Sequence, residues 1–409
     1  MIIGARKIVD DFTWVGALDP DLRVFDIVMR TDFGTTYNSY VLKGTDKTAL
    51  FEANKSYCFD EWIERIREVT PVEKIDYLVV SHTEPDHCGT VDKLLELNPD
   101  IEIIGTMGAI NFLKEILNRD DFKCRAVKEG EEIELGGKTM RFIVAPNLHW
   151  PDTMFTYVPE IATLVTCDCF GCHFSDPGIT DENLCNNFDY MKSLLYYYEG
   201  IMSPFCPDVQ NALAKIDPLK IDIIATGHGP VLTDNPGMVI ELYRQWSRPA
   251  IACSCKMVVI AYVSAYGYTK NLAEAIRDGI AEASNGNIEV RMFDMVGSDF
   301  DEVMKAITLS DGFLLGTPTI VGEAVPPIWD IAAALNPKVH GGKLASAFGS
   351  YGWSGEGVPH IMQRLGQVKL KLFGEGYRCR FNPSGDQLAA AKEFGHDFAG
   401  ELIGKSADD

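Results

Sequence analysis

The chain has 409 residues, with 37 Lys and Arg against 59 Asp and Glu, for a formal charge of −22. Apolar residues make up 46% and charged residues 23%, the balance of a globular protein long enough for two or three domains with real cores. The acidic balance repels phosphate backbones and argues against general nucleic-acid binding. No run of about 18 apolar residues predicts a membrane span. The opening residues lack the apolar stretch and small-residue cleavage site of a secretory signal. With that start, eleven cysteines point to reduced thiols and a cytoplasmic location rather than a disulfide framework.

Residues 1 to 250 carry short β-rich runs at 48–51, 77–80, 101–104, 140–144 and 221–225, with amphipathic stretches at 59–69 and 90–97. This mixture predicts sheets with helices on their outer faces. From Met257 the pattern becomes regular: a strand at 257–263, a helix from about Thr269, a strand at 288–292, a helix at 301–308 and a strand at 312–315. A helix at 328–335, a strand at 343–348, a helix from Gly357 and a last helix from Asp386 complete the series. Such alternation over about 150 residues predicts an open, doubly wound parallel sheet. The join is expected near Arg248-Pro249, after the amphipathic stretch 238–246, which sets domains at 1–250 and 251–409. Residues 405–409 read as a frayed tail.

The first chemical signal follows the run at 77–80. Ser81-His82-Thr83-Glu84-Pro85-Asp86-His87 offers four ligand-type side chains in six residues. A loop at the carboxyl edge of a strand can turn several of them toward one point, and mixed imidazole and carboxylate donors suit a transition metal. Three later segments repeat the arrangement. His149 follows the strand at 140–144, Asp168 follows the apolar run 161–165, and His228 follows the strand at 221–225 within Gly227-His228-Gly229. Four of the eight histidines thus fall at strand ends, where one metal centre could gather them. Cys169-Phe-Gly-Cys172-His173 fits the pattern of c-type haem attachment. Haem beside Asp168 would crowd the metal, and a cytoplasmic chain lacks the export route, so Cys167, Cys169 and Cys172 read as small buried residues or thiols near the centre.

A second signal follows the strand at 257–263. Ser264-Ala265-Tyr266-Gly267-Tyr268-Thr269 leads into a helix, a place where backbone N–H groups, hydroxyls and the helix N-terminus can surround a phosphate. Thr317-Pro318-Thr319-Ile320 ends the third strand of this half. Ser350-Tyr351-Gly352-Trp353-Ser354-Gly355 follows the fourth and offers aromatic faces to a flat ring. In a doubly wound sheet these loops converge on the ligand crevice. No G-x-G-x-x-G follows the first strand, which argues against NAD.

The order H-x-E-x-D-H, His, Asp, G-H-G resembles the metallo-β-lactamase superfamily, whose hydrolases read H-x-H-x-D-H and bind zinc; the implied fold is an αββα sandwich. Glu84 in place of the second histidine supplies an anionic oxygen ligand that suits iron. The second half resembles flavodoxin, whose phosphate loop reads T/S-x-T-G-x-T; here Tyr266 replaces the middle threonine. Together the two halves resemble the flavodiiron proteins, and the resemblance implies a non-haem di-iron centre and FMN. It implies His82, Glu84, His149 and Asp168 on one iron and Asp86, His87, Asp168 and His228 on the other, with Asp168 bridging. The implied activity is reduction of dioxygen to water, of nitric oxide to nitrous oxide, or both. Two electrons on the metals and two on the flavin match the four that dioxygen needs.

The resemblance further implies a head-to-tail homodimer, or a dimer of dimers, with the flavin of one subunit beside the metals of the other. No fused rubredoxin is expected, because only Cys379 lies beyond Cys255 and two C-x-x-C pairs would be needed. Electrons would then come from a separate donor such as rubredoxin or reduced coenzyme F420. Two alternatives stand beside this reading: a di-zinc hydrolase with a flavodoxin-like regulatory domain, and a flavin electron carrier whose metal site is inactive or only senses nitric oxide.

Overall fold

A computed structural model describes residues 4–27, 29–248 and 256–404. The chain divides into two compact units, Met1–Pro249 and Ala250–Asp409. Pro249, at the expected join, and the expected tail at 405–409 lie outside the described residues.

The first unit is built on two facing sheets. One has seven strands in the order Arg6–Val9, Phe12–Trp14, Tyr40–Lys43, Thr48–Phe51, Tyr77–Val79, Glu102–Gly105, Cys124–Ala126. It is antiparallel as far as Thr48–Phe51 and parallel beyond. The other has five strands in chain order, Glu132–Glu134, Thr139–Val144, Met154–Val158, Thr163–Cys167 and Ile223–Thr226, with only the last pair parallel. Phe12, Trp14, Tyr40, Phe51 and Val79 of the first sheet pack against Met140, Phe142, Met154 and Val165 of the second, forming a core between the layers. Outside the larger sheet lie the helices Phe59–Val69, Val91–Leu97 and Met107–Leu117. Outside the smaller lie Asn187–Tyr197, Cys206–Ile216 and Pro236–Trp246. This is the expected αββα sandwich. Phe59–Val69 shows why such helices form: Trp62, Ile63 and Ile66 make one buried stripe, while Asp60 and Glu61 begin the helix and Arg67 ends it, each sign complementing the helix dipole.

The second unit is a parallel sheet in the order Ile288–Asp294, Lys256–Tyr262, Gly312–Gly316, Leu344–Tyr351. Two short strands, Lys371–Leu372 and Tyr377–Arg380, both pair in parallel with Leu344–Tyr351. Helices Tyr268–Ala283 and Gly385–Gly404 cover one face. Phe300–Leu309, Pro326–Ala334 and Gly357–Gln367 cover the other. Coverage on both faces explains why Val258, Val259, Ile260 and Ala261 run apolar without alternation. The strand order reverses beside Lys256–Tyr262, and the ligand crevice of such a sheet opens there.

Two local expectations are corrected. Asp86 and His87 lie on a short helix, Pro85–Cys88, rather than in open loop, with Pro85 suited to a first helical position. The strand expected at 343–348 runs on to Tyr351, so Ser350 and Tyr351 sit on the strand end.

Candidate metal centre and flavin cleft

Five of the seven expected ligands sit in the turn or loop after a strand of the sandwich, and Asp86 and His87 lie on the short helix Pro85–Cys88. His82 and Glu84 follow Tyr77–Val79, Asp168 directly follows Thr163–Cys167, and His228 follows Ile223–Thr226. His149 lies in the turn between the antiparallel strands Thr139–Val144 and Met154–Val158. Cross-links between the sheets fix these turns. Met154 N donates to Ser81 O at 2.9 Å, Asn38 N to Gly227 O at 2.9 Å, and Thr83 N and Oγ1 both donate to the buried Asp152.

Asp168 lies at the middle of the cluster. Its Oδ2 stands 3.5 Å from His82 Nε2 and 3.2 Å from His149 Nε2, and both imidazoles also face Glu84 Oε2, at 3.3 and 2.9 Å. Its Oδ1 stands 3.0 Å from His87 Nε2 and 3.4 Å from His228 Nε2, and both of these also face Asp86 Oδ2, at 3.4 and 3.1 Å. One carboxylate thus divides its oxygens between two donor sets, and all seven expected residues are brought together. On the far side of the His228 ring, Nδ1 donates to Thr36 O at 2.5 Å. A cavity of about 160 Å³ opens beside Glu84, His149, Asp168 and His228 and is walled by Phe25, Asp26, Met29, Tyr197, Ile201 and His173.

Burial opposes charge on Glu84, yet hydrogen bonds from His149 and His82 hold its carboxyl well below the ordinary carboxylate range. Asp86 and Asp168 are likewise buried and likewise held low, by His87 and His228 and by His82 and His87 respectively. Burial would lower His87, but Asp86 and Asp168 carry it up to about 10. His149 reaches about 10 against the same penalty, through Asp168 and Glu84. His173 goes the other way: burial, then the neighbouring His228, push it down to about 3, so it stays neutral.

In the second unit a cleft of about 780 Å³ opens at the sheet's crevice. Ala265, Tyr266, Tyr268, Pro318, Thr319, Ile320, Ser350, Tyr351, Gly352, Trp353 and Ser354 line it, joined by Val321, Gly322 and Phe381. The remaining expected residues shape the walls from behind. Ser264 Oγ accepts from Lys270 N at 3.2 Å, and the Thr269 hydroxyl is buried against Ser350 Oγ at 2.9 Å. Thr317 Oγ1 accepts from Val325 N at 3.1 Å and donates to Pro318 O at 2.8 Å. Gly355 lies against the Tyr351 ring. Gly267, at φ +82°, turns the chain into the helix Tyr268–Ala283, whose N-terminus no side chain of Gly267 can cap. Trp353 and Tyr266 are 87% and 84% exposed, so their faces are not used up in packing.

Comparison with known proteins decides the family. Residues 35–229 match the family described as ODP family beta lactamase, and residues 260–395 match Flavodoxin. The flavo-diiron protein FprA2 of Clostridium acetobutylicum is 41% identical over 97% of this chain and 99% of its own length. The chain belongs to the flavodiiron proteins. The nitric oxide reductase of Moorella thermoacetica is 35% identical over 97% of this chain and 98% of that protein. Among solved structures, the flavodiiron protein of Giardia intestinalis is 27% identical with a TM-score of 0.69, covering 99% of this chain and 98% of that one. The rubredoxin oxygen:oxidoreductase of Desulfovibrio gigas, 24% identical over 98% of this chain and 100% of its own, shares the fold with a TM-score of 0.72.

The donor set of this flavodiiron chain fits a metal pair on its own evidence. Asp86 Oδ2 and Asp168 Oδ1 are buried and converge on the buried His87 Nε2 at 3.4 and 3.0 Å without a well-aligned hydrogen bond, and Asp86 Oδ1 is buried with none, an arrangement that a cation would satisfy. Donors about 2.1 Å from one metal stand about 3.0–3.4 Å apart in octahedral or tetrahedral geometry, which is the spacing seen here. The cleft of the second unit fits a flavin through its size, its aromatic rim and the helix N-terminus beneath it. Sequence reasoning did not single out His173, Val321, Gly322 or Phe381. His173 stood in plain view in the C-x-x-C-H run, whereas Phe381 follows a strand whose pairing with Leu344–Tyr351 carries no local signal. Among the described residues the cysteines are free thiols, and no helix is long and apolar enough to cross a membrane.

Proposed function

We propose that this flavodiiron protein reduces dioxygen, nitric oxide or both. Two irons would be held by His82, Glu84, His149 and Asp168 and by Asp86, His87, Asp168 and His228, and an FMN would occupy the cleft of the second unit. The observation that carries this reading is the division of Asp168 between two donor sets, which a single-metal site does not need. Glu84 supports iron over zinc, because an anionic oxygen ligand stabilises the higher oxidation state. The relative from Moorella thermoacetica, named a nitric oxide reductase, supports nitric oxide as one substrate.

When bound, the metals and flavin would supply the electrons for the reduction; the chain's own residues hold, shield and exclude. Phe25, Met29, Tyr197 and Ile201 make one side of the small cavity largely apolar, with Asp26 also on its lining, a space that suits a small uncharged gas better than a large polar substrate. Neutral His173, its Nδ1 paired with Thr35 Oγ1 at 2.9 Å, adds no charge to that wall. In the second unit the N-terminus of Tyr268–Ala283 would receive the phosphate, and Tyr351 and Trp353 would flank the flat ring. The proposal includes a separate electron donor of the rubredoxin or reduced-F420 kind, a cytoplasmic location, and a head-to-tail homodimer or dimer of dimers.

The test is metal analysis of protein purified without added metal, followed by anaerobic reduction and stopped-flow mixing with dioxygen or nitric oxide separately. About two irons per chain and oxidation by at least one gas are expected. Zinc without iron would favour the hydrolase, and a normal flavin spectrum without gas consumption would favour the electron carrier. Sedimentation analysis tests the oligomer.

A further inference from the structure

The two donor sets share a second feature on the side away from the proposed metals. His82 and His87 present Nε2 to the carboxylates, and both turn Nδ1 toward one atom, the sulfur of Cys167, at 3.0 and 3.4 Å. The two rings lie 4.6 Å apart, and Cys167 has no exposed surface. Neighbouring residues in a regular strand point to opposite faces. Here the ladder slips between Val165 and Cys167, and Cys167 adopts φ +52°, so Cys167 and Asp168 both reach the same histidines. That the histidines face a candidate cation site on the other side is an independent observation, because their Nε2 atoms are gathered there with buried carboxylate oxygens of Asp86 and Asp168 at 3.0–3.5 Å.

A histidine that binds metal through Nε2 carries its proton on Nδ1, and the group accepting that proton fixes the tautomer and the ring's orientation. We propose that Cys167 is a positioning residue for both metals at once: its sulfur accepts the Nδ1–H of His82 on one side of the pair and of His87 on the other. Carboxylates, carbonyls or waters usually do this work for one ligand each, as Thr36 O does for His228. A single buried sulfur doing it for two ties the placement of one iron to the placement of the other. The inference rests on the di-iron reading above and adds a role for a residue that binds neither metal.

The experiment follows release of ferrous iron from flavin-loaded protein into a colorimetric chelator under anaerobic conditions, with the Mössbauer spectrum of iron-57-loaded protein as a second readout. Cys167→Ala should release both irons about 10–100-fold faster than wild type, the range for losing a hydrogen-bond partner of a metal ligand, and should alter the spectrum of both sites. Cys167→Ser should lie between the two, because its shorter C–O bond restores one contact better than two. Cys169→Ala removes an equally buried thiol two residues away and should release iron within about twofold of wild type. Wild-type release from Cys167→Ala would overturn the inference while leaving the di-iron reading intact. Loss of only one iron, or equal loss in Cys169→Ala, would also overturn it, pointing to a single contact or to packing. A wild-type chain that takes up no iron pair overturns both readings together.

Discussion

The charges around Asp168 should make binding of the proposed metals steeply dependent on pH. In the metal-free chain His87 and His149 are both pushed up to about 10, despite burial, by the carboxylates they face. A histidine ligand must be neutral, so loading the centre expels one proton from each. Between pH 7 and 9 two protons therefore leave per centre filled, and the overall binding constant should rise about 100-fold per pH unit, or about 2.7 kcal/mol. The sign follows from the raised values: the empty site keeps both protons until pH nears 10, so below that value each loading event must release them, and rising pH favours metal. Chelator competition for ferrous iron, run anaerobically at several values between pH 6.8 and 8.2, gives the slope directly. Calorimetry in buffers of different ionisation enthalpy counts the protons released. A slope near zero, or fewer than one proton released, would refute the reasoning and show that neither imidazole is charged in the empty site.

Asp168→Ala should retain flavin but lose most of its iron and both gas activities, as read by elemental analysis beside the flavin absorbance; retained gas reduction would contradict the shared role. Ser264→Ala removes the hydroxyl at the head of the phosphate loop and should weaken FMN binding about five- to tenfold, about 1 kcal/mol, with iron content unchanged. Fluorescence titration of flavin-stripped protein measures it, and unchanged affinity would remove that assignment. Gly279→Ala should lower the stability of the second unit by about 2 kcal/mol in thermal unfolding, because overpacking outweighs the gain in helix propensity. Its methyl would lie 1.9 Å from Lys392 O of the facing helix.

What could be read from the residues alone was whatever is local. The ligands at 82–87, 149, 168 and 228 each follow a run of apolar residues, and a strand end followed by His, Asp or Glu is visible without tertiary knowledge. The antiparallel strands between Arg6 and Tyr37 carry no sequence signal, because they span two to four residues and show no sustained alternation. The helix Pro85–Cys88 is likewise shorter than two turns, too short for any periodicity. Gly349 hides the true end of its strand for a different reason. It looks like the start of a loop, yet it sits inside the strand Leu344–Tyr351, where a Cβ would lie 1.8 Å from Thr317 O. Its lack of a side chain serves close strand approach rather than a turn. Cys167 could be placed near the centre, but its contact with two imidazoles depends on a bulge that leaves no mark in the composition.

Residue 84 is where this sandwich chooses its chemistry. Three carboxylates, Glu84, Asp86 and Asp168, are gathered beside an apolar wall, and burying that much negative charge is costly without cations. The apo chain offsets it with protons on His87 and His149; a metal pair would replace those protons with a larger positive charge at the same place. With histidine at position 84, as in the zinc hydrolases this half resembles, the site would carry one negative charge fewer and favour a higher oxidation state less. Glutamate there holds the charge on the cavity side, touching His82 and His149. A glutamate at this position therefore suits the proposed iron pair better than a zinc pair, and the flavin-type cleft of the second unit suits the same proposal.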